Sequence, residues 1–274
     1  MLGTIGTVCW CIQLVPQVYI NWRRKKTDGL PGLMLLIWAI CAVPFGVYAI
    51  AQNLNIPIQV QPQVFGVLSL FCWAQTLVYH DGWRLWTASL LATTLGACMG
   101  GVEVLLVLTL RPVYGRGVEW PISLIGVVAA VLLAMGLIPP YFELWKRRGR
   151  VVGIHFGFLT IDWMGAFFSL MSLIAQNSFD ILGGVLYIIC MLLELGIFAS
   201  HFIWLWRTRD VRGEAKRAGK TYDEWTDQIY QDPSAAPATL GCSNPLPIKK
   251  LMQDDTTDTE KGEGAATQET DQGK

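Results

Sequence analysis

Seven stretches of this chain, near residues 2–22, 30–51, 58–79, 86–110, 121–145, 154–175 and 181–206, each run for at least about 20 residues with almost no charged side chain. An α-helix needs about 20 apolar residues to cross roughly 30 Å of hydrocarbon, so all seven are long enough to span a bilayer. Strands are excluded, because the stretches lack the alternating period of a barrel and open strand edges leave backbone groups unpaired in lipid. Composition agrees: 53% hydrophobic residues, 15% charged residues and a mean hydropathy of +0.40 exceed what one soluble core uses. The expected fold is all-α and integral to a membrane, with seven transmembrane helices.

All 21 Lys and Arg lie outside these spans or at their ends. The loops after spans one, three and five and the start of the tail hold Arg23, Arg24, Lys25, Lys26, Arg84, Lys146, Arg147, Arg148, Arg150, Arg207, Arg209 and Arg212, whereas the other side holds Arg111 and Arg116. Cytosolic loops carry the excess of cations, so the N-terminus is expected to be luminal and the C-terminus cytosolic. The cations follow the first span instead of preceding it, which predicts a retained helix and not a cleaved signal peptide. Beyond about residue 207 the chain turns to Asp, Glu, Lys, Thr, Gly and Pro, and a disordered cytosolic tail is expected. Its one candidate for an ordered piece, Tyr222 to Tyr230, reads either as a segment on the membrane surface or bound to a partner, or as a solvated, frayed one. Six cysteines sit within the spans and Cys242 in the tail, with no disulfide or zinc spacing.

The chain repeats itself. At an offset of 123, Val15-Pro16 meets Ile138-Pro139, Trp22 meets Trp145, and Arg23-Arg24-Lys25 meets Lys146-Arg147-Arg148; at 124, Gly29 meets Gly153 and Ala51-Gln52-Asn53 meets Ala175-Gln176-Asn177. One residue added in the loop after the basic cluster reconciles the two offsets. Each copy holds three spans, and span four remains as a connector. A single crossing between the copies makes the repeat parallel.

With Val15-Pro16-Gln17, Trp22 and the basic loop to Gly29, then Ile138-Pro139, Trp145, Lys146-Arg147-Arg148 and Gly153, and the acidic-aromatic segment of residues 160 to 188, the chain is similar to the PQ-loop repeat proteins. These are relatives of the SWEET sugar carriers and of the vacuolar and lysosomal basic amino-acid exporters. The resemblance covers residues 1 to 206, and it departs at Pro140, which stands where the motif glutamine belongs. It implies a 3+1+3 organisation: residues 1–79 as the first three-helix bundle, 80–120 as connector helix and loops, 121–206 as the second bundle, and 207–274 as the tail.

Pro16 and Pro139 each delete a helical hydrogen bond and clash with the carbonyl one turn back, so each is expected to kink its span. Paired kinks serve either as hinges or as static bends, and the resemblance implies hinges, with Pro140 beside the second and Gln17 as a polar gate. Pro44 is expected to break span two as a third such site. Acids are the other signal, because a carboxyl at bilayer depth is costly and is a functional hypothesis by default. Glu103, Asp162 and Glu194 lie near the middles of spans four, six and seven with no Lys or Arg at that depth. They read as proton or cation sites, or as neutral acids packed between helices. His201 lies seven residues after Glu194 and on roughly the same helix face, as in a short proton relay or a packed interfacial ring. Asn53 and Asn177, equivalent in the repeat, read as solute contacts or as helix caps.

No nucleophile with a base, phosphate loop, metal or cofactor motif, or nucleic-acid patch is present, so an enzyme is not expected. The expected surroundings are a lipid bilayer and a small cationic solute, with proton coupling, and sorting machinery on the tail. The resemblance implies transport of lysine or arginine across a vacuolar or lysosomal membrane by alternating access. A sugar carrier, a non-transporting receptor or trafficking protein, and a lipid scramblase are the readings left open.

Overall fold

The computed structural model describes residues 2–54, 56–175 and 181–231; Asn177 and the tail beyond residue 231 lie outside them. The described residues form helices and no strands: α1 Leu2–Ile12, α2 Val15–Arg24, α3 Gly32–Ala51, α4 Ile56–Tyr79, α5 Leu85–Gly115, α6 Trp120–Gly136, α7 Ile138–Lys146, α8 Phe156–Ile174, α9 Ile181–Arg207, α10 Arg209–Arg217 and α11 Tyr222–Gln231. Six stretches are both long and apolar enough to cross a membrane, with α1–α2 and α6–α7 each counting as one. The remaining expected span is α4, whose 24 residues reach about 36 Å. Gln59, Gln61, Gln63 and Gln75 lower its hydropathy.

The first and fifth spans are broken and not merely kinked. Pro16 stands in the first turn of α2, and Pro139 and Pro140 in the first turn of α7. A proline there loses nothing, since first-turn N–H groups have no helical partner. Just upstream the backbone tightens, with the Leu137 N–H turning to the Ala134 carbonyl at 3.1 Å. Pro44, expected as a third break, is not one: α3 runs through it without interruption. It forfeits only the bond to the Ile40 carbonyl, and packing against α4 and α6 holds the helix on both sides.

Two compact units divide the chain at Trp204 and Leu205. In the first, α3 packs on α4, α5 and α6, while α1 packs on α4 and α8. The α1–α8 and α3–α6 contacts are each other's equivalents under the repeat, and their details match. The Trp10 indole N–H donates to the Asp162 carbonyl at 3.2 Å, and the Trp38 indole N–H to the Leu133 carbonyl at 3.1 Å; residues 10 and 133 correspond, as do 38 and 162. Gly165 and Gly136 leave the room for those indoles, since a β-carbon at either would collide with the ring. Gly6 approaches the Gly165 carbonyl where the Cys41 thiol meets the Ala129 carbonyl at 3.2 Å, and Gly3 faces Ser172 where Gly126 faces Tyr48. At the loops, Gly29 (φ +82°) lies against the Val152 carbonyl and Gly153 (φ +83°) against the Asp28 carbonyl. Both need a left-handed backbone and a close approach that only glycine allows. The two copies therefore meet about a local two-fold relation.

In the second unit α10 and α11 pack together, burying Ala215 and Ile229. Gly219 (φ +68°) ends α10, with the Lys220 N–H returning to the Ala215 carbonyl at 2.9 Å. A reciprocal cap opens α11: the Thr221 N–H donates to the Glu224 carboxylate at 2.8 Å and the Glu224 N–H to the Thr221 hydroxyl at 3.3 Å. Helical order thus continues past residue 207: α11 falls on the stretch set apart in the tail, and α10 lies where the composition predicts disorder.

Candidate functional site

At the level of the two helix breaks the first unit encloses a cavity of about 20 Å³, lined among others by Trp10, Gln13, Gln61, Leu137, Asp162 and Glu194. That is room for about one water molecule. A solute of amino-acid size enters only if helices move.

Asp162 on α8 and Glu194 on α9 are buried, at 8% and 1% exposure, and both line this cavity. Two acids on one small cavity can hydrogen-bond to each other only with a proton between them, because two carboxylates offer only acceptors. The Glu194 Oε2 and Gln13 Oε1 atoms are buried with no hydrogen-bond partner. A buried acceptor left unpaired costs about 1–3 kcal/mol, so this cavity favours a proton donor between them. No Lys or Arg is among the lining residues. Under the repeat Asp162 corresponds to Trp38 and Gln13 to Gly136. One copy supplies amides and the other supplies carboxyls.

Gln17 faces away from this cavity toward the loops that carry the basic clusters. Fully buried, it donates to the Gly153 carbonyl at 2.9 Å and to Asn21 Oδ1 at 2.8 Å, and accepts the His155 N–H at 2.7 Å. Asn21 continues to Gln75 Oε1 at 3.0 Å, and Gln75 to the Val18 carbonyl at 3.2 Å. A chain of buried amides thus runs from α4 through α2 to the start of α8. The second copy has no such chain. Where Gln17 meets the N–H of His155, the repeat pairs its counterpart Pro140 with Pro31, which has no N–H to offer.

The other sequence candidates lie apart from the acid pair. Glu103 on α5 reaches Gly46 of α3, where a β-carbon would collide with its carboxyl, and accepts a hydrogen bond from Gln63 of α4. Asn53 (φ +52°) follows the end of α3 in the left-handed conformation, and the next N–H returns to the Ala49 carbonyl at 3.0 Å, the pattern of a helix stop. His201 accepts the Val151 N–H at 3.2 Å and stacks with Phe156 and Trp204. The sequence reading missed Gln13 and Gln61, although an amide inside an apolar run is the same kind of signal as an acid.

The PQ loop repeat pattern matches residues 1–58. The uncharacterized membrane protein YDR090C of Saccharomyces cerevisiae is 45% identical over 233 residues, covering 84% of this chain and 73% of the relative. The uncharacterized protein C2E12.03c of Schizosaccharomyces pombe is 38% identical over 204 residues, covering 74% and 71%. A shorter match joins the chain to the vacuolar lysine transporter YPQ1 of Saccharomyces cerevisiae, 32% identical over 79 residues, 29% of this chain and 26% of that one. The vacuolar histidine transporter YPQ3 of the same yeast is 37% identical over 54 residues, 20% and 18%. Repeat, breaks and relatives agree, and the chain belongs to the PQ-loop repeat family of membrane proteins.

Proposed function

We propose that this protein carries a small cationic solute, a basic amino acid in the first instance, across a vacuolar-type membrane by alternating access, exchanging a proton at the Asp162–Glu194 pair. The observation that carries the reading is that pair: two buried carboxyls on one small cavity, beside unpaired acceptors and with no cation in the lining. An ammonium or guanidinium head satisfies the same acceptors that a shared proton satisfies, so the two compete for one site. The related lysine and histidine transporters favour a basic amino acid over a sugar. In this reading residues 1–79 and 121–206 move as two bundles about the breaks at Pro16 and Pro139, with residues 80–120 as the connector. The basic loops face the cytosol, and Gln17 latches that side.

Uptake of labelled lysine, arginine and histidine, with glucose as comparator, into liposomes holding the purified protein tests this. Saturable basic amino-acid flux that follows an imposed pH gradient is expected, with the gradient dependence lost in Asp162→Asn and Glu194→Gln. Equal flux and equal pH dependence in both variants would remove the carboxyl pair from the mechanism.

A further inference from the structure

A second cavity, of about 390 Å³, lies away from the acid pair between α3, α5 and α6. Pro44 of α3 is in its floor, Met99 and Val102 of α5 form one wall, and Ile125 and Val128 of α6 form the other. The lining is apolar throughout, and its one weak polar group is the thiol of Cys98, which is exposed. The cleft exists because α5 leans on α3 and α4 and barely touches α6. It opens onto a belt of exposed apolar side chains, including Leu105, Leu108 and Val131. The three helices are membrane-spanning, so the medium at that opening is hydrocarbon.

We propose that this cleft holds one acyl chain of a bilayer phospholipid, retained longer than the lipid around the rest of the protein. The volume is more than ten times the roughly 30 Å³ share of one water, yet no side chain there would anchor water. Left empty, the walls would forfeit dispersion contacts on one side. A polar solute finds no partner in the lining, and a sterol would bring a rigid ring system and a hydroxyl with nowhere to bond. A flexible methylene chain needs neither. The site also touches both copies of the repeat, since α3 and α6 form one of the two matched contacts between them. The connector has no counterpart in the repeat, so the matching α1–α8 contact lacks this wall. An acyl chain here bears on one side of the carrier only.

The test uses the full-length protein in liposomes of phosphatidylcholine with a diazirine in one acyl chain, then exchange into unlabelled lipid before irradiation. Adducts mapped by mass spectrometry are expected on Met99 and Val128 in roughly fivefold excess over Leu105 and Leu108, the ratio that a preference of about 1 kcal/mol gives. Val128→Phe and, separately, Val102→Phe fill the cleft from opposite walls and should remove that excess, while Leu105→Phe on the open face should not. Equal loss of adducts from cleft and open face during exchange would overturn the proposal, as would an excess that survives both filling variants. Labelling of the cleft by a photoreactive sterol but not by the phospholipid would overturn it as well.

Discussion

Replacing Gln17 by leucine tests whether the buried amide is a latch between the two copies or only part of a core. Two of its three hydrogen bonds cross to the other copy, one to the Gly153 carbonyl and one from the His155 N–H. Each such bond is worth about 0.5–1.5 kcal/mol net, and orphaning the buried partner adds to the loss, so the closed arrangement should weaken by about 2–3 kcal/mol. If opening between the loops breaks both bonds in the wild type, that loss falls on the closed state alone. The open population then rises roughly 30- to 150-fold. The assay is the alkylation rate of Cys190, which lines the cavity, in a variant keeping no other cysteine. A water-soluble maleimide applied from the side of the basic loops should react faster by about that factor in Gln17→Leu. Gln75→Leu removes partners within one copy, and it should lower thermal stability without changing the rate. An unchanged Cys190 rate in Gln17→Leu, together with a lowered Tm, would refute the latch and leave Gln17 as packing.

Other outcomes follow from the same geometry. Gly165→Ala and Gly136→Ala put a β-carbon where the indoles of Trp10 and Trp38 sit, and each should lower stability by about 1–3 kcal/mol in a thermal melt; pairing each with Trp10→Phe or Trp38→Phe should restore part of the loss. Pro140→Gln, which restores the motif, should destabilise by about 1–3 kcal/mol, because the new carbonyl oxygen finds Pro31 and no N–H; Pro140→Gln with Pro31→Ala should recover part of it. The bonds from Thr221 hold the Glu224 carboxyl below the ordinary carboxylate range. The cap's contribution is therefore complete above the unfolded value of about 4.3 and is lost as pH falls through the lower folded value. Hydrogen exchange of residues 222–231, corrected for intrinsic rates, should speed up on that descent, and in Glu224→Ala it should be already fast and insensitive to that change.

The spans were legible because bilayer thickness imposes one length on every one of them. The two breaks were legible as prolines at equivalent positions, though the severity was not: a kink and a full interruption differ in how the residues just upstream rearrange, which no spacing records. Pro44 carries the same letter and leaves α3 continuous, since its neighbours on both sides are helices. Asp162 and Glu194 stood out as acids at bilayer depth, but their pairing depends on how α8 and α9 rotate against each other. Glu103 gave the same signal and went elsewhere, because Gly46 leaves a place for its carboxyl beside Gln63. The order after residue 207 was written in Thr221 and Glu224, a capping pair three residues apart, which composition averages away.

Pro140 reads on the sequence as a defect in the second motif, and the repeat relation shows why it is not a defect by itself. A glutamine at 140 needs a carbonyl at 29 and an N–H at 31; the first exists and the second does not, because residue 31 is proline. The two prolines are one correlated feature, and each removes the reason for a polar partner at the other. Leu144, where the first copy has Asn21, removes the remaining amide in the same way. The amide network is therefore whole in one copy and absent in the other. The cavity shows the same division in reverse: the second copy brings the carboxyls, and the first brings Gln13 and Gln61. A duplicated scaffold with its buried amides in one copy and its carboxyls in the other breaks its own symmetry at two places, and in the carrier reading proposed above these are the gate and the site of charge.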